Sequence, residues 1–372
     1  MKNYAFSFIL IVLVNLSVFA QSNQTRGRIS EFGIKVGYLE KGTLNMITDV
    51  EGVKVGHLTL KERTDIRTGV TAILPHGGNI FQEKVPAAIY CFNSFGKLAG
   101  YTQVQELGNI ETPIILTNTL NVGTAMEAVV KYTLEQKGNE NVRSVNAVVG
   151  ETNDGYLNDI RGQHVTREHV IQAIKSAVSG KFEEGCVGAG TGTTALGFKG
   201  GIGSASRKTI AIDGKQYTVG VLLQSNFGRE LYINGEPVTT KIKSNKINKK
   251  EDGSCMIIIA TDAPLSTRNL ERLAKRAFIG MGKTTNVMSN SSGDFAIAFS
   301  TAYHIPNDSK SNLYDLPPLF LNDAMTTLFQ AVEEATQEAV YNSLFMATTT
   351  TGFGGNTVNA IPIEQVLKII NK

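Results

Sequence analysis

Short apolar runs of strand length, alternating with stretches of helical period, restrict what this chain can fold into more than any other feature. The runs cover residues 72–74, 114–116, 145–149, 217–223, 255–260 and 295–299. In the last of them Phe295, Ile297 and Phe299 alternate with Ala296 and Ala298, a period of two that marks a strand with two different faces. Between the runs, apolar residues recur at helical spacing. Residues 124–136 carry Met126, Val129, Val130 and Leu134, and residues 167–179 carry Val170, Ile171, Ile174 and Val178. Ser266 is placed to cap a helix whose apolar face is Leu270, Leu273, Ala274, Ala277, Phe278 and Met281. Asn322 or Asp323 starts another, with Met325, Leu328, Phe329, Val332, Ala339 and Leu344 on one side. The mixture predicts an α/β class, with helices packed on both sides of stacked sheets. Periodicity alone leaves the topology open. The 37 glycines against 9 prolines suit a sheet-rich enzyme with tight turns.

The amino terminus reads as an export signal. A short basic start at Met1-Lys2 is followed by an apolar stretch from Ala5 to Ala20, ending in Val18-Phe19-Ala20. The stretch is short for a bilayer span, and Ser7, Asn15 and Ser17 interrupt it. The expected organisation is a signal peptide over residues 1–20 and one domain over 21–372, in an exported protein of the periplasm or medium, with no membrane partner once the signal is removed. The net charge of +3 gives no reason to expect nucleic acid as a partner. Cys91, Cys186 and Cys255 have no zinc spacing and cannot form a disulfide framework, so free, buried thiols are expected and neither metal nor organic cofactor is called for.

Several motifs fail on inspection. Gly282-Lys283-Thr284 looks like the end of a phosphate loop, but Ala277 stands where the first glycine is required. The glycine-dense segment 188–192 has its third glycine misplaced for a dinucleotide loop. Ser94-Phe95-Gly96-Lys97 fits the SxxK pattern of penicillin-binding proteins without its usual companions.

A different constellation carries chemistry. The Lys-rich stretch from Lys241 to Lys250 runs into Gly253-Ser254 and then into the apolar run 255–260. A serine at the mouth of a strand, behind a flexible loop, is where a chain can cut itself. The hydroxyl attacks the preceding carbonyl, an ester forms, and water releases a new amino-terminal serine. That serine then carries both a nucleophile and a base, because an α-amine titrates at roughly 7.7–8.0. Glu151, at the end of the 145–149 run, is placed to hold a substrate ammonium. Asn226, after the 217–223 run, can donate to a developing oxyanion. Ser292 and Asp294 fall on one face if the strand begins by Ser292, so a hydroxyl and a carboxylate can relay a proton side by side.

Together these segments resemble the L-aminopeptidase/D-esterase and β-peptidyl aminopeptidase family. The likeness runs through 49–57, 68–71, 117–119, 149–155, 199–203, 224–228, 252–254, 260–265, 292–294 and 298–302 in order. The resemblance implies a four-layer αββα sandwich similar to the N-terminal-nucleophile hydrolases but differently connected. It implies self-cleavage between Gly253 and Ser254 into residues 21–253 and 254–372, which stay associated, and a homo-oligomer of such units. It makes Ser254 the nucleophile and Asn226 part of the oxyanion hole. Glu151 would bind the free amine of a short peptide, amino-acid amide or ester, and Ser292 with Asp294 would tune the nucleophile. Asp294 stands where some relatives carry Glu. Asn153, also assigned to substrate binding, stands where some carry Tyr. Preference among L-α-, D- and β-amino substrates is left open. Two other readings remain at this point: an acyltransferase of similar fold, and an exported ligand-binding protein that never processes. Only the enzyme readings predict two chains.

Overall fold

The computed structural model describes residues 25–243, 253–286, 288–308 and 313–371. The expected signal peptide and most of the Lys-rich stretch therefore lie outside the described residues. Among the described residues no helix is long and apolar enough to cross a membrane.

Two sheets face each other. The smaller joins β1 (Lys54–Glu62), β2 (Ile66–Leu74), β4 (Ile114–Asn118) and β5 (Val148–Thr152) in the order β1-β2-β4-β5. The larger is built on β3 (Glu83–Ser94), β6 (Ile202–Lys208), β7 (Thr218–Asn226), β8 (Ser254–Thr261) and β9 (Gly293–Ser300), in the order β3-β9-β8-β7-β6, with a short strand at Ile305–Pro306 beyond β3. β8 lies parallel to β9 and antiparallel to β7. Helices α1 (Tyr101–Leu107) and α4 (Val238–Lys243) are short. Against the smaller sheet pack α2 (Val122–Leu134) and α3 (Arg167–Lys175). Against the larger pack α5 (Thr267–Gly282) and α6 (Thr326–Phe345).

Three hydrophobic clusters correspond to the three interfaces of four layers. Strand periodicity decides which side chain enters which. On β8, Cys255, Ile257 and Ile259 join the helices, while Met256, Ile258 and Ala260 fill the space between the sheets. On β9, Ala296 and Ala298 make room for α5, and Phe295, Ile297 and Phe299 fill the middle. On β7, Val219, Val221 and Leu223 face the helices and Leu222 faces the other sheet. The architecture is thus the expected αββα sandwich. β8 is the middle strand of these five and is buried along its whole length, and Ser254 is its first residue.

Element boundaries differ from the periodicity in an instructive way. The 145–149 run becomes a strand only from Val148 and continues through Glu151 to Thr152. The 217–223 run continues to Asn226. Both polar residues therefore sit on strand backbone rather than in the turns that follow. The strand of Ser292 begins one residue later than required by the sequence argument, at Gly293. The helix expected to reach Ser179 ends at Lys175, and its Thr166 cap accepts the His169 N–H. Ser266 caps α5 by accepting the Asn269 N–H at 3.3 Å. Strands β1 and β6 carry no apolar run of the kind that revealed the others, whereas β3 holds one, Ala87–Phe92, outside the runs named above. Of the three free thiols, Cys186 and Cys255 are buried as expected, but Cys91 is only partly so.

Candidate active site

Ser254 and Asn226 are directly opposed across the β7–β8 ladder. Opposed residues of an antiparallel pair share a face, with β-carbons about 4.5–5.5 Å apart. By the alternation above, that face is the one between the sheets. Ser254 is 5 % exposed and its hydroxyl has no hydrogen-bond partner among the described residues. The Asn226 carboxamide is oriented from behind: its Oδ1 accepts the Thr194 N–H at 3.0 Å. Its Nδ2 is therefore the group left to donate into the space beside Ser254.

Ser292 and Asp294 occupy the other side. Ser292 Oγ donates to Asp294 Oδ1 at 2.9 Å, although the strand starts only at Gly293. The turn before β9 is pinned by Asn93, whose Nδ2 donates to the Ser289 and Ser292 carbonyls at 2.9 and 2.6 Å. Asn93 itself sits at a register shift where β3 meets Asp294 and Phe295, a bulge beside the site. Asp294 is fully buried and pairs in register with Cys255, on the helix side of the sheet. The dyad therefore does not face the Ser254 side chain. It faces the backbone just before it: a β-carbon at Gly253 would lie 3.1 Å from Ser292 Oγ. Burial pushes the Asp294 carboxyl up to about 6, against the opposing pull of the Ser292 hydrogen bond. Its Oδ2 has no hydrogen-bond partner among the described residues.

Glu151 belongs to the other sheet and reaches the site through a connector. After β3 the chain leaves the larger sheet, and Ala99 pairs with Val149 at the edge of the smaller one, with N–H to O distances of 2.9 and 3.3 Å. On the way, Gly96 passes between Glu151 and β9. A β-carbon on Gly96 would lie 3.2 Å from Glu151 Oε1, and one on Gly293 would lie 3.3 Å from Gly96 Cα. Gly293 is the ladder neighbour of Ser254, so Glu151 is one glycine and one strand away from the serine. Its carboxylate accepts the Lys97 N–H at 3.0 Å and the Thr119 hydroxyl. Beneath it the two sheets are linked by Gln224, whose Nε2 donates to Thr152 Oγ1 at 2.8 Å and to the Ala189 carbonyl at 2.9 Å.

A family model described as peptidase family S58 matches residues 45–358. The chain belongs to peptidase family S58. Over 356 residues it is 39 % identical to the β-peptidyl aminopeptidase BapA of Sphingosinicella microcystinivorans, covering 89 % of each chain. Among solved structures, the PH0078 protein of Pyrococcus horikoshii OT3 superposes with a TM-score of 0.87 at 49 % identity, over 93 % of this chain and 99 % of that one. The L-aminopeptidase D-Ala-esterase/amidase of Ochrobactrum anthropi superposes with a TM-score of 0.86 at 34 % identity, over 92 % and 98 %. It is described as a prototype for the serine aminopeptidases and as a variant of the Ntn-hydrolase fold. This S58 chain is a serine aminopeptidase by class, and the resemblance read from its motifs is to the right family.

Five of the seven sequence-selected residues, Gly253, Ser254, Asn226, Ser292 and Asp294, come together at the ends of three adjacent strands, and Glu151 stands across from them. Asn153 does not join them. It is exposed, and its Oδ1 closes a local turn by accepting the Gly155 N–H at 2.9 Å. Sequence reasoning passed over the supports. Gly96 and Lys97 lie in the SxxK look-alike, Ser94-Phe95-Gly96-Lys97. The Lys97 contribution is a backbone N–H, which no side-chain pattern announces. Among the described residues no group of three His, Cys, Asp or Glu is placed to hold a metal ion.

Proposed function

We propose that this S58 peptidase is a self-processing aminopeptidase whose nucleophile is the amino-terminal serine released by cleavage between Gly253 and Ser254. The observation that carries the proposal is the buried Ser254 hydroxyl at the head of the central strand, without a hydrogen-bond partner among the described residues and opposite an Asn226 amide already held by its oxygen. In the uncut chain Ser254 Oγ adds to the Gly253 carbonyl. The peptide nitrogen leaves as the α-amine of Ser254, and the acyl group passes to Oγ as an ester. Water hydrolyses the ester, leaving a Gly253 carboxylate and a free hydroxyl and amine on Ser254. The Gly253 carbonyl already accepts the Gly293 N–H at 3.2 Å, so its developing negative charge meets a fixed donor.

Substrate turnover repeats the chemistry between molecules. The substrate ammonium pairs with Glu151, which selects free amino ends and brings the first carbonyl to Ser254. Oγ attacks, its proton passing to the α-amine, and the oxyanion is held by Asn226 Nδ2. The leaving amine takes that proton. Water then adds to the acyl-enzyme and the amino acid departs. The Ser292–Asp294 dyad lies on the Gly253 side of Ser254 and therefore serves the α-amine, holding it in place and drawing on its proton. The substrates are short peptides, amino-acid amides or esters with a free amine, of L-α, D- or β-amino acids. The same reading places the two pieces in one αβ unit that assembles into a homo-oligomer, and has the precursor exported with residues 1–20 removed.

The test is the intact mass of the purified protein beside its Ser254→Ala variant, followed by turnover of an aminoacyl-nitroanilide and its N-acylated analogue. Two fragments splitting at Gly253/Ser254, a single chain in the variant, and activity on the free amine alone are expected. An uncut wild type without activity would overturn the reading.

A further inference from the structure

Lys199 is a lysine with no access to solvent at all. A buried ammonium is retained only where it is paired and hydrogen-bonded. Here Nζ donates to the Gly190 and Gly200 carbonyls at 3.0 and 2.7 Å. Those carbonyls sit at the two ends of one loop. Within it, the Thr193 hydroxyl donates to the Gly190 carbonyl at 3.1 Å, and the Gly200 N–H donates to the Thr193 carbonyl at 3.2 Å. The next residue, Thr194, supplies the N–H that holds Asn226 Oδ1. Two residues further, the Leu196 N–H donates to the Phe227 carbonyl at 2.8 Å. The loop thus wraps the end of β7, and the lysine ties both of its ends.

The charge around Lys199 reaches the other half of the site. Its field acts on the fully buried Asp154, in the turn that follows Glu151, and on the Cys186 thiol. Burial pushes Asp154 up to about 7, with Thr68, Asn158 and Lys199 pulling the other way. Cys186 Sγ in turn takes the Thr348 N–H at 3.3 Å. None of these groups has a place in the acyl-transfer steps above.

We infer that Lys199 is a positioning residue for the oxyanion donor: its buried ammonium fixes the 190–200 loop so that the Thr194 N–H orients the Asn226 carboxamide toward Ser254. The inference rests on the oxyanion role given to Asn226. It predicts a loss in kcat and not in KM, because the groups that meet the ground-state ammonium are untouched.

The test is a double-mutant cycle on free-amine nitroanilide hydrolysis, with kcat expressed per processed nucleophile as counted by intact mass. Lys199→Met is expected to lower kcat about tenfold or more, with KM within about threefold. In an Asn226→Ala background the same change is expected to do nothing further, since the donor it orients is gone. An equal kcat loss in both backgrounds would reduce Lys199 to a structural residue and overturn the inference, while leaving the Asn226 assignment intact. An unchanged kcat in Asn226→Ala alone would instead remove the assignment on which the inference stands. If Lys199→Met does not fold, Thr194→Pro deletes the orienting N–H and keeps the lysine itself, which pairs with Thr194 across a short antiparallel hairpin. It is expected to give the same kcat loss and the same absence of effect in Asn226→Ala, and full activity in Thr194→Pro would overturn the inference.

Discussion

Gly293 N–H donates to the Gly253 carbonyl at 3.2 Å, while Asn226 stands across the opposite ladder from Ser254. In the proposed mechanism the carbonyl cut in the precursor and the carbonyl cut in a substrate therefore meet different donors. Asn226→Ala is expected to lower kcat on a free-amine amide by about 100- to 1,000-fold, the usual loss for one oxyanion donor. Self-cleavage is expected to continue in that variant, because the Gly293 backbone is unchanged. The time course of fragment appearance by mass spectrometry, beside steady-state turnover, checks both halves. A variant that stops cutting itself would show that one donor serves both reactions.

Asp294 gives a pH prediction whose sign follows from burial. Its carboxyl titrates at about 6 in the uncut chain, above the unfolded value near 3.9. The folded state thus favours the proton. Below the unfolded value both states are protonated and the group contributes nothing. As pH rises through the folded value the ionised form must be kept in a buried site, and stability is lost. A gap of this size corresponds to about 2 to 3 kcal/mol. In a Ser254→Ala background, which keeps the chain uncut, Asp294→Asn is expected to raise the unfolding midpoint at pH 8. The gain should shrink below pH 6 and vanish below about pH 4. Denaturant unfolding across that range measures it, and a gain independent of pH would mean that the carboxyl is not perturbed by burial.

Glu151 gives a prediction about selectivity. Its carboxylate is already held by the Lys97 N–H and the Thr119 hydroxyl, so it does not need to be reoriented to meet an ammonium. Glu151→Gln keeps the shape and removes the charge. A charge-assisted hydrogen bond is worth roughly 1.5–3 kcal/mol, so kcat/KM on a free-amine substrate should fall by about 10- to 100-fold. Turnover of the N-acylated analogue, which carries no charge to pair, should stay at background, so that the gap between the two substrates narrows. Unchanged discrimination between the two substrates would take the ammonium away from Glu151.

What was legible in the sequence, and what was not, divides along physical lines. Strands buried on both faces announce themselves as apolar runs, and β8 and β9 were found that way. β1 mixes buried, half-buried and exposed residues, with His57, Thr59 and Lys61 interrupting its apolar ones, and β6 buries Ser204, Ser206 and Arg207, so neither shows such a run. Arg207 is invisible as a core residue because its partners, Glu334 and Glu338, are supplied by α6 more than a hundred residues later, at 3.1 and 2.6 Å. The proposed nucleophile was legible because a Gly-Ser pair between a Lys-rich stretch and an apolar strand is a local pattern. Its supports were not, because backbone donors such as Thr194 and Lys97 and spacers such as Gly96 act through position alone. The face assignment of Asp294 also needed the structure: the spacing from Ser292 was correct, but only the ladder with Cys255 shows that the pair lies on the helix side.

Gly96 supplies the sharpest test of that kind of support. It separates Glu151 from β9, and an added β-carbon would meet Glu151 Oε1 and Phe295 Cε2, each at 3.2 Å. Phe295 is locked between the sheets, so the carboxylate is the neighbour with room to give. Gly96→Ala is expected to displace Glu151 by a few tenths of an ångström and to raise KM for free-amine substrates several-fold, with a smaller change in kcat. Gly96→Val, which adds two methyl groups in the same place, should raise KM further. Folding should be little affected by the alanine, since the Ala99–Val149 pairing that anchors the connector lies three residues on. Steady-state kinetics on one aminoacyl-nitroanilide, with thermal unfolding as the control, decides it. A loss confined to kcat would place the connector against the reacting carbonyl instead of the ammonium.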